Sequence, residues 1–274
     1  MYDIQDTSLL VTILQGNTIH TTPACKKYQS LVNLTPGKSL AKKYTDYSDV
    51  FEQIVKNRKY CVSRLALQYA KPNTQFVILA AGIDALSLYL ASKRHDIVLF
   101  ETDINLMKEK TKLLYKSSPK LSKLIHCITA DIAKPKLFHK KLVQHGFDPT
   151  LPTVIVAEGI SYYITKNIFW NTIKTLTHPK LENKLIFEHS IPVRYVHPST
   201  RYLLRFGFGT ITKNVDVQPF TYYSHHTINA EVKKIGGNVI NHHTMKSIEK
   251  CRFGKNVKFT HNNDIGIEIC SATI

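Results

Sequence analysis

The sequence predicts an α/β fold in which a mostly parallel sheet carries helices on both faces. Short apolar runs recur through residues 71–190, and segments of helical length separate them. The runs contain β-branched residues and lack polar alternation, which is typical of parallel strands buried on both faces. The 274 residues, of which 43% are hydrophobic and 21% charged, can bury the core of one domain.

The first predicted strand, residues 76–81, reads Phe-Val-Ile-Leu-Ala-Ala and runs directly into Gly82. A glycine lets the backbone turn sharply and lets a ligand approach the main chain closely. Asp84 then caps a predicted helix over residues 85–91, whose free N–H groups face the same crevice. The segment therefore predicts a strand, a tight turn and a helix, with a ligand site at the turn.

Each of the next three predicted strands ends in acidic residues. These are Glu101 and Asp103 after residues 97–100, Asp131 after residues 125–130, and Glu158 after residues 153–157. Because the carboxyl ends of parallel strands border one crevice, we expect the acids to converge there. A carboxylate about twenty residues after the glycine can accept hydrogen bonds from both hydroxyls of a ribose.

The turn has one glycine only, since Ala80, Ala81 and Ala85 stand where a dinucleotide-binding turn has others. A pyrophosphate needs close backbone approach at several points, so the pattern favours a cofactor with ribose and adenine but no phosphate. S-adenosylmethionine fits, and its sulfonium charge would offset the repulsion among the acids. Asp131 would accept from the adenine amino group, and Glu158 would face the methionine part. The alternative is an ordinary strand, turn and helix followed by solvated acids.

Five segments between residues 50 and 190 follow the order found in one enzyme family. They are residues 77–84, 100–103, 130–132, 146–153 and 157–163. Together they resemble the leucine carboxyl methyltransferase family. The resemblance implies a Rossmann-like, seven-stranded class I methyltransferase sheet, mostly parallel with an antiparallel last strand and an N-terminal helical cap. It also implies S-adenosyl-L-methionine as the cofactor.

The resemblance extends to the predicted cofactor site. Asn57-Arg58-Lys59-Tyr60 followed by Arg64 is similar to the family's Asn-Arg-Gly-Tyr-x-x-Arg segment, whose last arginine binds the cofactor carboxylate. The chain has Lys59 and Ala80 where the family usually has glycine. The full set of predicted cofactor-binding residues is Arg64, Ala80, Gly82, Asp84, Glu101, Asp103, Asp131, Ile132 and Glu158.

The resemblance implies methyl transfer to oxygen, most simply to a carboxylate of a small molecule or protein. A carboxylate is ionised at neutral pH and needs no general base. Tyr163 is the predicted contact to the acceptor or the methionine part, and Arg201, in an arginine-rich segment, is a predicted carboxylate ligand. A phenolic or alcoholic acceptor would need a base, for which His189 is the choice. Two alternatives remain: methylation of a tRNA carboxyl group, and a decayed enzyme that serves as a binding module.

The organisation is predicted as one methyltransferase domain over residues 1–274. Residues 1–70 form a helical cap, 71–190 the cofactor-binding core, 191–222 an acceptor-side insertion, and 223–274 a C-terminal helix and strand pair. Asp3 and Asp6 stand where a signal peptide would have basic residues, so a cytoplasmic protein is expected. The longest N-terminal apolar run, residues 9–14, is too short to span a bilayer, so no transmembrane segment is expected. The protein is expected to be a monomer.

The formal net charge of +17, from 37 Lys and Arg against 20 Asp and Glu, favours acidic partners. The expected partner is an anionic small-molecule or protein acceptor. Nucleic acid is less favoured, because the lysines are dispersed and no aromatic RNA-recognition motif accompanies them. Five widely spaced cysteines predict neither a disulfide framework nor a zinc site. The pairs His225-His226 and His242-His243 lack metal-ligand spacing, so no metal is expected.

Overall fold

The computed structural model describes residues 4–178, 181–214 and 220–274. Over these residues the chain forms a seven-stranded sheet of order β3-β2-β1-β4-β5-β7-β6. The strands are β1 (Gln75–Leu79), β2 (Val98–Asp103), β3 (Ile125–Thr129), β4 (Thr153–Ala157), β5 (Lys184–Ser190), β6 (Asn238–Thr244) and β7 (Ile267–Thr273).

Strands β1 to β5 are parallel, and β7 runs antiparallel between β5 and β6. Leu79 at the end of β1 pairs with Thr102 of β2 and with Ala157 of β4. The central strands therefore finish at one level, and the segments that follow them share one edge of the sheet. This arrangement confirms the predicted class I methyltransferase sheet.

Helices cover both faces of the sheet and build the N-terminal region. They are α1 (Ile4–Gln15), α2 (Pro23–Leu31), α3 (Thr35–Ala41), α4 (Ser48–Tyr69), α5 (Leu86–Lys93), α6 (Met107–Ser117), α7 (Pro119–Ser122), α8 (Pro135–Gln144), α9 (Lys166–Thr175), α10 (Arg201–Asn214), α11 (His225–Lys234) and α12 (Met245–Phe253). Several begin where a Ser or Thr side chain accepts a backbone N–H, as Ser224 does for α11 and Thr165 does for α9.

Alternation along the strands divides the core between the two faces of the sheet. Phe76 and Ile78 of β1 pack into one apolar cluster, and Val77 and Leu79 pack into another on the opposite face. Both clusters are buried, which explains why the strands read as continuous apolar runs rather than alternating ones.

The N-terminal helices and α10 meet beside the carboxyl edge of the sheet. Tyr44, in a 3₁₀ turn that precedes α4, donates from its hydroxyl to the Gly207 carbonyl at 3.0 Å. Leu10 and Leu14 of α1 pack with Tyr44 in a small apolar cluster. Residues 215–219, part of the predicted insertion, lie outside the described residues. Among the described residues, every helix is too short or too polar to cross a bilayer.

Candidate functional site

A cavity of about 370 Å³ lies beyond the carboxyl ends of the four strands β1 to β4. Its sheet side consists of the residues that follow these strands, and α1, α4 and α10 contribute its other walls. The volume falls in the range of small-molecule pockets, about 300 to 1,000 Å³. The predicted residues that line this cavity are Ala80, Gly82, Asp84, Asp103, Asp131, Ile132, Glu158 and Tyr163.

The turn after β1 has the unusual backbone that its sequence predicts. Gly82 has a φ of +47°, in the left-handed region that glycine adopts most easily. Its N–H donates to Asp103 Oδ2 at 2.9 Å, which ties the turn to the end of β2. Ala80 has a φ of +48°, which explains why glycine is usual at that position.

Helix α1 closes over this turn, through a contact that the sequence did not indicate. The Ser8 hydroxyl accepts a hydrogen bond from the Ile83 N–H at 2.9 Å. A Cβ atom at Gly82 would lie 2.3 Å from Ser8 Oγ. The glycine is therefore required twice, by its backbone conformation and by the approach of α1.

Asp103 and Asp131 are the acids with the most open carboxylates. Asp103 accepts only from backbone N–H groups, those of Gly82 and Asn105, among the described residues. Asp131 accepts from the Ala133 N–H, and its nearest cation is exposed Lys134 at 3.7 Å. Each carboxylate therefore has lone pairs left that can accept hydrogen bonds from a ligand.

Two basic side chains of α4, Arg58 and Lys59, are buried at the cavity, where sequence reasoning expected Arg64 instead. Lys59 Nζ lies 2.8 Å from Asp84 Oδ2 and 3.0 Å from Glu158 Oε1. Arg58 Nη1 lies 3.0 Å from Glu188 Oε1, and its Nε lies 3.4 Å from Glu158 Oε1. Burial alone would lower the pKa of Lys59, but Asp84 and Glu158 outweigh that effect and raise it.

Glu188 of β5 lies behind the cavity wall and contacts two of its lining residues, Arg58 and Gly159, a role that sequence reasoning missed. It is fully buried, accepts from the Gly159 N–H at 2.8 Å, and also pairs with Arg58. Burial raises the pKa of its carboxyl group, against the opposing effect of Arg58. An acid directly after the apolar run of residues 185–187 was the available signal, because a buried carboxylate needs a partner.

Glu101 is a predicted cofactor residue that lies outside the cavity. Its side chain is fully buried, and its Oε1 lies 2.8 Å from Lys110 Nζ of α6. It pairs with Cys127 of β3 inside the sheet, two residues before the strand end that Asp103 occupies. Glu101 therefore belongs to a structural ion pair, and the interpretation of this residue as a cofactor ligand is corrected.

Arg64 also lies elsewhere, in an exposed groove with His243 and Cys251. The motif Asn-Arg-Gly-Tyr-x-x-Arg places its arginine three residues after Tyr60, which is Ser63. One further residue turns the side chain by about 100° around the helix and away from the cavity. Ser63 faces inward, where its hydroxyl contacts His20 Nε2 at 2.9 Å.

The predicted arginine clamp is not formed. Arg201 Nη2 donates to the Val196 carbonyl at 3.0 Å, so it closes the loop before α10 and does not line the cavity. The helical period turns Leu204 and Phe208 toward the cavity instead. His189, the alternative base, is fully buried in β5 and is not part of the cavity wall.

Part of the charge of the predicted acid cluster is balanced within the protein. Lys110 pairs with Glu101, Lys59 with Asp84 and Glu158, and Arg58 with Glu188. The expectation that a bound sulfonium offsets four converging acids is therefore corrected, because two of the four, Glu101 and Glu158, already have buried cationic partners.

Solved structures with related folds include two bacterial proteins aligned over nearly the whole chain. A DUF574 family protein from Streptomyces avermitilis MA-4680 is 13% identical with a TM-score of 0.61, and the alignment covers 97% of this chain and 96% of that one. A candidate methyltransferase from Thermobifida fusca YX is 14% identical with a TM-score of 0.62, covering 93% and 96%. The geranyl diphosphate C-methyltransferase of Streptomyces coelicolor A3(2) is 7% identical with a TM-score of 0.51, covering 81% and 83%.

At such low sequence identities, these structural alignments establish a shared fold and nothing more. A comparison of the sequence with curated proteins found no match. The sequence profile of the leucine carboxyl methyltransferase family, in contrast, matches residues 24–177, more than half of the chain. The match spans α2 through α9 and includes the glycine turn, Asp103, Asp131 and Glu158. The chain therefore belongs to the leucine carboxyl methyltransferase family, whose members are S-adenosylmethionine-dependent methyltransferases.

Proposed function

We propose that this protein transfers a methyl group from S-adenosylmethionine to a carboxylate oxygen of a small, largely apolar organic acid. The observation that carries the proposal is the division of the cavity into two halves. The sheet side has acids and the glycine turn, whereas the side formed by α4 and α10 has apolar residues that include Ile54, Leu204 and Phe208. A polar cofactor and an apolar acceptor would each find a matching wall.

The polar half fits an adenosyl group. Asp103 has free acceptor capacity for ribose hydroxyls, and Asp131 together with Ile132 lines the next part of the wall, where adenine would lie. Ala80 and Gly82 present backbone to the methionine part. When bound, the cofactor supplies a methyl group on a positively charged sulfur that is open to in-line displacement.

The chain contributes orientation and exclusion of water to this reaction. A carboxylate acceptor is already ionised and needs no base, which agrees with the absence of histidine from the described residues that line the cavity. Tyr162 and Tyr163 stack edge-on at 4.8 Å beside Phe208, forming an aromatic wall for the acceptor. Arg58 and Lys59 lie at the junction of the two halves, where their ion pairs with Glu188, Asp84 and Glu158 would hold that wall of the cavity in place.

The experiment combines binding and transfer on the full chain. Calorimetric titration with S-adenosylhomocysteine should give one site per chain. Tritiated methyl from S-adenosylmethionine should then label apolar carboxylic acids, such as medium-chain and aryl acids, and spare polar acids of similar size. A methyl ester releases volatile methanol in mild base, whereas an ether does not. Base-stable label would refute transfer to a carboxylate, and label in an RNA fraction that falls with salt would favour a tRNA acceptor.

A second candidate, a binding module without catalysis, is favoured by one observation. Lys59 stands where the family has glycine and occupies the space between Asp84 and Glu158, beside the turn. A chain that binds S-adenosylhomocysteine but labels nothing in a complete lysate would support this second candidate. No heat at millimolar ligand, with no thermal stabilisation, would overturn both.

A further inference from the structure

Three histidines and a glutamate, which lie apart in sequence, meet on the sheet outside the cavity. His189 belongs to β5, His242 to β6 and Glu268 to β7, while His225 is the first residue of α11. None of the four lines the cavity of the proposed methyl transfer. The cluster therefore needs an explanation of its own.

Strand register puts the three sheet residues on one face. His189 pairs directly with Glu268, and His242 pairs with Cys270. Glu268 and Cys270 are two residues apart in β7, so their side chains point the same way. Helix α11 packs over this face through Ile228 and Val232, and that packing brings His225 to the cluster.

The histidines have unusual hydrogen bonding for their burial. His189 is fully buried, and neither of its ring nitrogens has a hydrogen-bond partner among the described residues. Both ring nitrogens of His242 are likewise buried without a partner in that part of the chain. Buried polar groups almost always have a partner, so unsatisfied nitrogens on two neighbouring rings point to a ligand that one nitrogen of each ring could bind.

The geometry suits a metal ion. The ligand atoms of His189, His242 and Glu268 all lie within 4.8 Å of one another. His189 Nε2 is 3.7 Å from Glu268 Oε2, close to the ~3.4 Å that separates tetrahedral donors with bonds of about 2.1 Å. His225 Nε2 lies 2.6 Å from the same Oε2, as outer partners of ligating carboxylates do.

We propose that His189, His242 and Glu268 bind a divalent transition-metal ion of the zinc class, with His225 positioning Glu268. Two imidazoles and one carboxylate suit Zn²⁺ and Co²⁺, whereas Mg²⁺ and Ca²⁺ prefer oxygen ligands throughout. The ion would join the three strands at the end of the sheet to one another. The site is independent of the proposed methyl transfer.

A second histidine cluster serves as a comparison. His197 and His261 stack at 3.7 Å beside Asp264. There Asp264 Oδ2 already accepts from two backbone N–H groups, those of Thr260 and His261, and the His261 side chain is half exposed. The comparison cluster therefore lacks the unsatisfied buried nitrogens that carry the proposal.

The test uses the full chain, freed of metal with a chelator and then titrated with Zn²⁺ or Co²⁺. We expect one tight ion per chain, visible absorption bands from tetrahedral Co²⁺, and a rise in melting temperature of roughly 5 °C at a hundredfold excess over the dissociation constant. His189→Gln and His242→Gln should each weaken binding at least about tenfold. The control variants His226→Gln, beside His225, and His261→Gln, in the comparison cluster, should match the unmodified protein.

Several results would overturn the proposal. They are the absence of a tightly bound ion, an affinity in His189→Gln and His242→Gln equal to that of the unmodified protein, or a loss of affinity in His261→Gln instead. Stabilisation by Mg²⁺ equal to that by Zn²⁺ would also overturn it. Circular dichroism verifies that each variant is folded. Should His189→Gln not fold, His242→Gln decides the outcome, because residue 242 is only partly buried and lies on the edge strand β6. Binding of S-adenosylhomocysteine should be the same with and without zinc.

Discussion

Lys59 and Asp84 form a buried ion pair inside the cavity, with Nζ 2.8 Å from Oδ2. Lys59 lies one helical turn before Ser63, the position at which the family motif has arginine. The chain therefore has Ser63 where the motif has a cation and has a cation at residue 59, where the motif has glycine, on the same face of α4. Burial alone would raise the pKa of Asp84, but Lys59 holds it below its ordinary value.

Replacing Lys59 by methionine should destabilise the protein strongly. The change leaves the Asp84 and Glu158 carboxylates partly or fully buried without their closest cation. Removing one partner of a buried pair costs about 3 to 5 kcal/mol, and urea unfolding measures the loss. The control is Lys56→Met, which removes an i,i+4 pair with half-exposed Glu52 and should cost about 0.5 kcal/mol. Equal losses in the two variants would contradict the prediction.

The ion pair between Glu101 and Lys110 should support stability without contributing to cofactor binding. Both side chains are fully buried, so Glu101→Gln or Lys110→Met alone should lower the free energy of unfolding by about 3 to 5 kcal/mol. The double variant should lose much less than the sum of the two single losses. Calorimetry on the folded fraction should give an unchanged affinity for S-adenosylhomocysteine. A tenfold change in affinity would show that Glu101 contributes to cofactor binding after all.

Asp103→Asn should weaken S-adenosylhomocysteine binding by tenfold or more. The amide keeps the size of the side chain but removes the charge that strengthens hydrogen bonds from ribose hydroxyls, and a charge-assisted bond contributes about 1.5 to 3 kcal/mol. It also weakens the link to the Gly82 N–H. Calorimetric titration tests this, with exposed Asp46→Asn as the control. An unaltered dissociation constant for Asp103→Asn would rule out the assigned role.

His20 should make the protein less stable as the pH falls below about 6.5. Burial lowers the pKa of His20, while nearby Asp84 acts in the opposite direction to a smaller extent. The unfolded chain then binds a proton that the folded chain does not, at up to about 1.4 kcal/mol per pH unit. His20→Gln should reduce the difference in urea stability between pH 7.5 and pH 5.5. Parallel pH curves for the two proteins would contradict this.

Gly82→Ala should destabilise the turn through two separable effects. Alanine at a φ of +47° costs about 1 to 2 kcal/mol, and its Cβ would also clash with Ser8 Oγ at 2.3 Å. Ser8→Gly in the same chain should relieve the clash but not the backbone strain. Denaturant unfolding should therefore show partial rescue in the double variant. Full rescue would mean that the conformation of residue 82 contributes nothing.

The fold was readable from the sequence because its signals are local. Apolar runs such as residues 153–157 are strands in the structure, and the turn at Gly82 has the predicted sharp bend. Asp103 and Asp131 lie at the predicted sheet edge because strand ends in a parallel sheet share one level. Each of these predictions depends on residues within one or two elements.

The ionic partners were not readable, because they depend on contacts between distant segments. Arg58 and Glu188 are separated by 130 residues, and Lys110 reaches Glu101 only because α6 folds back over β2. The Arg64 prediction failed through a shift of one residue on a helix, which moves a side chain by about 100°. Sequence patterns resolve periodicity well, but they do not resolve a pairing that requires atoms within 4 Å.

Hydrophobic periodicity and the placement of glycine and acidic residues therefore specify the strands, the order of motifs and the edge where a ligand belongs. Folding in three dimensions sets which acids stay open, which are neutralised by Lys59, Arg58 or Lys110, and how His189 meets His242 and Glu268. The physical reason is that burial and charge pairing act over a few ångströms in space, whatever the distance along the chain.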